Sequence, residues 1–161
     1  MKIGFIGLGN MAGTICQGLI KFALPKINRG DVVIDAQLLS KQVLMDAYSD
    51  TTPDTAIEVH AITKSWNVTT VTWNTKPTYE STVADFEILK ASEKNSGAKD
   101  RQWNVTSIVK RWYENPNFAN NGLLLRSSNE NKSSYNDSCI YMWVYGEKYA
   151  QSTAYPMLYI T

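Results

Sequence analysis

Apolar and polar residues alternate with a period of two along much of this chain, and that rhythm predicts short β-strands. Between residues 32 and 41, Val32, Ile34, Ala36 and Leu38 fall on one side, with Asp35, Gln37 and Lys41 on the other. Leu39 interrupts the polar side. Ile57, Val59 and Ala61 alternate with Glu58 and His60, which places His60 on an outer, solvated face. Further strands are predicted over 68–73, 86–89, 122–127 (Leu123 and Leu125 inward), 139–145 and 157–160. One segment changes period: Val105, Ile108, Val109 and Trp112 recur at helical spacing and predict a single short helix. Asn104 or Thr106 can cap its start, and Asn115-Pro116 ends it. The Ser/Lys/Asn/Gly stretch at 92–100 reads as a solvated loop.

Six or seven short strands separated by turn clusters, with one helix inserted near 105–114, predict a mainly β fold. The expected architecture is an antiparallel, jelly-roll-like β-sandwich. At 161 residues and 43% hydrophobic content the chain is long enough to bury one core. Sixteen basic residues against fifteen acidic ones leave a net charge of +1, too little to attract nucleic acid or an anionic membrane surface. Two cysteines, Cys16 and Cys139, supply neither a disulfide framework nor a zinc site. With His60 as the single histidine, a multi-histidine metal site is excluded and no catalytic role is assigned.

The opening breaks this pattern. Met1-Lys-Ile-Gly-Phe-Ile-Gly-Leu-Gly-Asn-Met-Ala12 reads as a strand over 2–7 followed by a helix over 10–21, with Gly7, Gly9 and Ala12 at the G-x-G-x-x-A spacing. That spacing suits a dinucleotide's pyrophosphate: one glycine turns the chain, the next admits the phosphates, and a small residue lets the helix pack closely. Residues 1–20 resemble the start of pyrroline-5-carboxylate reductases. The resemblance implies that Gly7, Gly9, Asn10, Met11 and Ala12 form an NAD(P)H loop. The alternating helices that such a domain needs do not follow, so the expectation is a fused or displaced start over 1–18 and no bound cofactor. Gly4, Gly7, Gly9 and Asn10 also interrupt any signal-peptide core, so no export signal is read here.

The remainder has its own likeness. Leu19-Ile-Lys-Phe-Ala-Leu-Pro25, Val33-Ile-Asp-Ala-Gln-Leu38, Ser65-Trp-Asn-Val-Thr-Thr-Val-Thr-Trp-Asn74, Trp103-Asn-Val-Thr106 and Tyr155-Pro-Met-Leu-Tyr-Ile160 carry it. Residues 19–161 resemble a DNRLRE domain, a β-sandwich type grouped with carbohydrate-binding modules. The resemblance implies one non-catalytic domain of a larger secreted or wall-associated bacterial protein, with a polysaccharide or cell-wall glycan as partner. Such domains begin with an Asp/Asn-rich strand that this sequence lacks at its front. A structural spacer without a ligand and a reductase fragment are the alternatives.

Sugar rings stack on aromatic side chains through their apolar C–H faces. In the 139–145 strand, Tyr141, Trp143 and Tyr145 share one side, opposite Ile140, Met142 and Val144, and they form the candidate glycan-binding row. Trp66 and Trp73 are expected to pack their loop onto the core, and Trp112 to be core; Trp103 is left open. Lys41, Lys64 and Arg126 could meet an acidic glycan, although scattered surface bases are ordinary. Asp85 and Glu87 share a strand side, as two catalytic carboxylates or as a solvated edge. The sequons at Asn67, Asn104, Asn131 and Asn136 are read as chance.

Overall fold

The computed structural model describes residues 17–47, 54–67, 69–72, 74–93, 95–128, 140–144 and 156–161. Among them, eight strands and one α-helix follow in the order β1 (Gln17–Ile20), β2 (Ala36–Ala47), β3 (Thr55–Ala61), β4 (Asp85–Leu89), β5 (Lys99–Asn104), α1 (Thr106–Glu114), β6 (Leu123–Ser127), β7 (Ile140–Val144) and β8 (Met157–Ile160). They form two four-stranded antiparallel sheets. One runs β1-β6-β3-β4; the other runs β5-β2-β7, with β8 also on β2. The predicted β-sandwich with an inserted helix is the observed fold.

Alternation explains how the layers close. Ile57, Val59, Leu123 and Leu125 from the first sheet and Ala36, Leu38 and Trp103 from the second are all buried in one cluster. Trp103, which the sequence left undecided, is its largest fully buried side chain. Its indole Nε1–H donates to the Ile57 carbonyl at 2.9 Å, joining the two layers. Leu38 pairs with Trp103 on one side and Leu158 on the other, and Gln42 pairs with Lys99 and Val144. β8 and β7 therefore lie end to end along one edge of β2, with β5 along the opposite edge.

The helix closes one end of the sandwich. Val105, Ile108 and Val109 are buried, and Trp112 packs partly against the same cluster. Asn104 Oδ1 accepts from the Thr106 backbone N–H at 3.0 Å, while the Thr106 hydroxyl accepts from the Ala36 N–H at 2.8 Å and so ties the helix start to β2. At the other side of the helix, Gly122 has φ +97°, and a Cβ there would stand 2.3 Å from the Ile20 carbonyl oxygen. Only glycine fits that turn into β6.

Four local expectations are corrected. The helix predicted over 10–21 ends instead as strand β1, paired with β6; the segment's earlier residues, like the strand at 2–7, lie outside the described residues. Leu19 and Ile20 bury on opposite sides of the sheet, in two separate clusters, as successive residues of a strand do. Val32 and Ile34 are 67% and 71% exposed, and Val33 is the buried one. The alternation becomes real at Ala36, where the ladder begins. The strand predicted over 68–73 is a turn among its described residues: Asn67 Oδ1 accepts the Thr69 N–H, the Asn67 backbone carbonyl accepts that of Thr70, and Thr75 Oγ1 accepts that of Thr72, so local groups take bonds a ladder would need. Finally, Lys99 and Asp100 belong to β5 rather than to a solvated loop.

Candidate functional site

Two surfaces and one buried cluster hold this chain's chemistry. The predicted aromatic row falls on β7, at the edge of the order β5-β2-β7. There Trp143 stands opposite Leu44 and Tyr141 opposite Asp46, just beyond a register shift between Gln42 and Leu44. Tyr141 and Trp143 occupy positions two residues apart along β7. Tyr145, Trp73 and Cys139 lie outside the described residues.

The outer face of the other sheet is only partly open. The segment after β3 folds back over it, so that Ile62, Leu19 and Leu124 form a small second core with Trp66, Val71 and Tyr79 packed against them. Trp66 Nε1–H donates to the Asn121 carbonyl at 2.7 Å, bearing out its predicted packing role. Above this sits an open groove of about 460 Å³ lined by Lys64, Trp66, Asn67, Thr70, Lys76 and Pro77.

The same cover overturns the outward, exposed reading of His60, which is 1% exposed. Its side chain does leave the main core, but the returning loop buries it. Nδ1 lies 2.9 Å from the Glu80 carbonyl and 3.1 Å from that of Thr82, Nε2 lies 3.3 Å from Glu58 Oε2, and Tyr79 packs edge-on at 5.2 Å. The Glu80 and Thr82 carbonyls can only accept, so an N–H at Nδ1 pins the loop to β3. Period-2 reasoning finds the face of a residue but not what lands on it.

Next to that loop, Arg126 Nη1 donates to the Tyr79 hydroxyl at 2.9 Å, and its Nε stands 3.7 Å from Glu58 Oε2. Phe86 lies directly across from Glu58 on β4 and is 55% exposed. Ile88 and Val83 are exposed beside it. Sequence reasoning placed Phe86 on a strand without assigning it to a surface.

Asp85 and Glu87 do share the other side of β4, but as ties between layers. Asp85 Oδ2 accepts the Asn104 N–H at 2.6 Å, and Glu87 Oε2 stands 3.7 Å from Arg101 Nη1. Arg101 itself is 2% exposed and reaches Gln42 Oε1 (2.8 Å from Nη2) and Glu93 Oε2 (2.7 Å). Gln42 in turn donates to Ser96 Oγ at 3.1 Å. Burial opposes the Glu93 charge, but hydrogen bonds from Lys99 and Arg101 and their positive charges outweigh it and hold the carboxyl at about 2 instead of 4.5. This closed, fully paired network suits a structural clasp. Of the proposed surface bases, Lys41 pairs with Asp100 at 3.8 Å, Arg126 serves Glu58 and Tyr79, and Lys64 lines the groove.

Among the described residues, no group of three His, Cys, Asp or Glu side chains could hold a metal ion. No helix among them is long and apolar enough to cross a membrane. The family model described as carbohydrate-binding module family 96 matches residues 9–138, which takes in β1 through β6 and ends before β7. No curated protein matches the chain.

Proposed function

The chain belongs to carbohydrate-binding module family 96, and from that premise we propose that it is a non-catalytic module that holds polysaccharide against an aromatic strand face. The family match over 130 residues carries this reading. The proposed contact row is Tyr141, Trp143 and Tyr145, supported by the alternation of the 139–145 segment and by the position of β7 at a sheet edge. Sugar C–H faces would lie on the rings while nearby polar groups meet the hydroxyls. A shallow strand face buries little of each sugar, so single-site affinity is modest and suits repeated contact along a polymer.

We place the module outside the cell, within a larger secreted or wall-associated bacterial protein, as one sandwich domain over 19–161 preceded by the reductase-like stretch 1–18. Its resemblance to DNRLRE domains supports that context. A glycan array with Tyr141→Ala and Trp143→Ala controls tests the binding. Wild-type signal on a polysaccharide that both variants lose is the expected result. No signal on any glycan refutes the reading in favour of a spacer. A titration of NADPH fluorescence checks the opening segment: no saturable binding is expected, and saturation would restore a cofactor role to Gly7, Gly9 and Ala12.

A further inference from the structure

We propose that the Asn121–Gly122 step is a latent deamidation site, held inert by the fold and released by unfolding to a reaction that bars the way back. The proposal is independent of any ligand. Asn-Gly occurs once in the sequence. In a flexible chain the step is labile, because glycine has no side chain to shield its amide nitrogen from the neighbouring asparagine carboxamide. Here glycine is not optional. At φ +97°, with the Ile20 carbonyl oxygen 2.3 Å from where a Cβ would stand, the turn into β6 demands the very residue that exposes Asn121 to attack.

Ring closure joins the Gly122 backbone nitrogen to Asn121 Cγ. The Cγ–Nδ2 bond breaks, and the proton lost from the Gly122 nitrogen leaves on the departing ammonia. Water then opens the cyclic imide at either carbonyl, giving aspartate or, with an extra methylene in the main chain, isoaspartate. In the fold each reacting group is engaged. The buried Gly122 N–H donates to Asn120 Oδ1 at 3.1 Å, so removing its proton would leave a negative nitrogen against an oxygen. Asn120 is itself anchored through Nδ2 to the Phe22 carbonyl at 2.8 Å. Asn121 Nδ2 donates to the Thr63 carbonyl at 3.1 Å, the Asn121 carbonyl accepts the Trp66 Nε1–H at 2.7 Å, and the Gly122 carbonyl accepts the Ile62 N–H at 3.0 Å. Ring closure therefore has to follow a local opening that releases these bonds together. The product does not fit where it came from. A carboxylate at position 121 offers only acceptors to the Thr63 carbonyl. The added methylene of isoaspartate lengthens a turn that leads straight into the fixed pairing of Ala61 with Leu123.

Peptide mapping by mass spectrometry tests this, with folded protein and urea-unfolded protein incubated side by side in warm, mildly alkaline buffer. Deamidation at Asn121 is read from the mass gained when –NH2 becomes –OH. The folded protein should react at least about tenfold more slowly than the unfolded chain, and equal rates overturn the protection. Asn120→Ala, which frees the Gly122 N–H, should speed the folded-state reaction about fivefold, the factor that one net hydrogen bond supplies. Asn120→Asp keeps an oxygen for that N–H while losing the donor to Phe22, and should stay at the wild-type rate. Acceleration by both variants alike, or by neither, overturns the role of the Asn120 oxygen. If either variant's urea midpoint falls, hydrogen exchange of the wild-type Gly122 amide decides instead: slow exchange supports the clamp, and exchange at the free-peptide rate overturns it. After dilution from urea, the refolded soluble fraction should be depleted of the modified peptide relative to the aggregate. Equal amounts in the two fractions overturn the claim that the modified turn cannot refold.

Discussion

Replacing Glu93 by Gln removes the main counter-charge of a buried guanidinium while preserving size and one carbonyl acceptor. The Glu93 carboxyl is held at about 2 against 4.5 for an ordinary glutamate. Its folded value is the lower one, so its contribution to stability is fully present above pH 4.5 and disappears as pH falls towards 2. Each unit of difference corresponds to about 1.4 kcal/mol, which sets an upper bound between about 3 and 4 kcal/mol. The Glu93 side chain is 24% exposed, so solvent screening brings the expected loss to about 2 kcal/mol at pH 7. Urea unfolding followed by tryptophan fluorescence, repeated from pH 7 to pH 2, measures it. The variant should be less stable at neutral pH, and the gap should close between pH 4.5 and 2. Asp100→Asn, which touches only the exposed pair with Lys41, should leave the midpoint unchanged. A gap that persists unaltered at pH 2, or no gap at pH 7, refutes the assignment of Glu93 as the charge that keeps Arg101 buried.

Two core positions give sharper structural tests. Gly122→Ala forces a side chain onto φ +97° and into the Ile20 carbonyl, and should cost at least about 3 kcal/mol by urea denaturation; a loss below 1 kcal/mol would show that the turn can relax. Trp103→Phe leaves a gap and deprives the Ile57 carbonyl of its indole partner, for an expected loss of about 2 kcal/mol in the same assay. An unchanged midpoint would mean that the indole does not join the layers.

Strand periodicity carried most of the architecture. β3, β4, β6 and β8 fall where alternation places them, and the 3.6-residue spacing of Val105, Ile108, Val109 and Trp112 marks α1. What the pattern misses is partner identity. β5 contains Arg101 at an inward position, and a buried arginine reads as a surface residue until Glu93, from the turn just before β5, and Gln42, from the distant strand β2, are brought to it. His60 is misread for the mirror-image reason: its face is assigned correctly, but the loop that covers that face is invisible to local alternation. The 68–73 segment shows the third limit, because threonine and valine favour a strand only when their neighbours do not offer hydroxyl and amide caps. Phe86 is a related case. Alternation identifies two sides of β4, whereas its exposure depends on where the loop after β3 stops.

The long strand β2 has a consequence for how the protein is made. Its first residues, Ala36 to Leu39, gain their second neighbour only from Met157 to Ile160, almost the full described length away. On a ribosome, that edge must wait, half-zipped and sticky, until β8 emerges. Vigour of expression should therefore depend on how quickly β8 arrives, and deleting Met157 to Ile160 should send the protein into inclusion bodies although the opposite sheet is untouched.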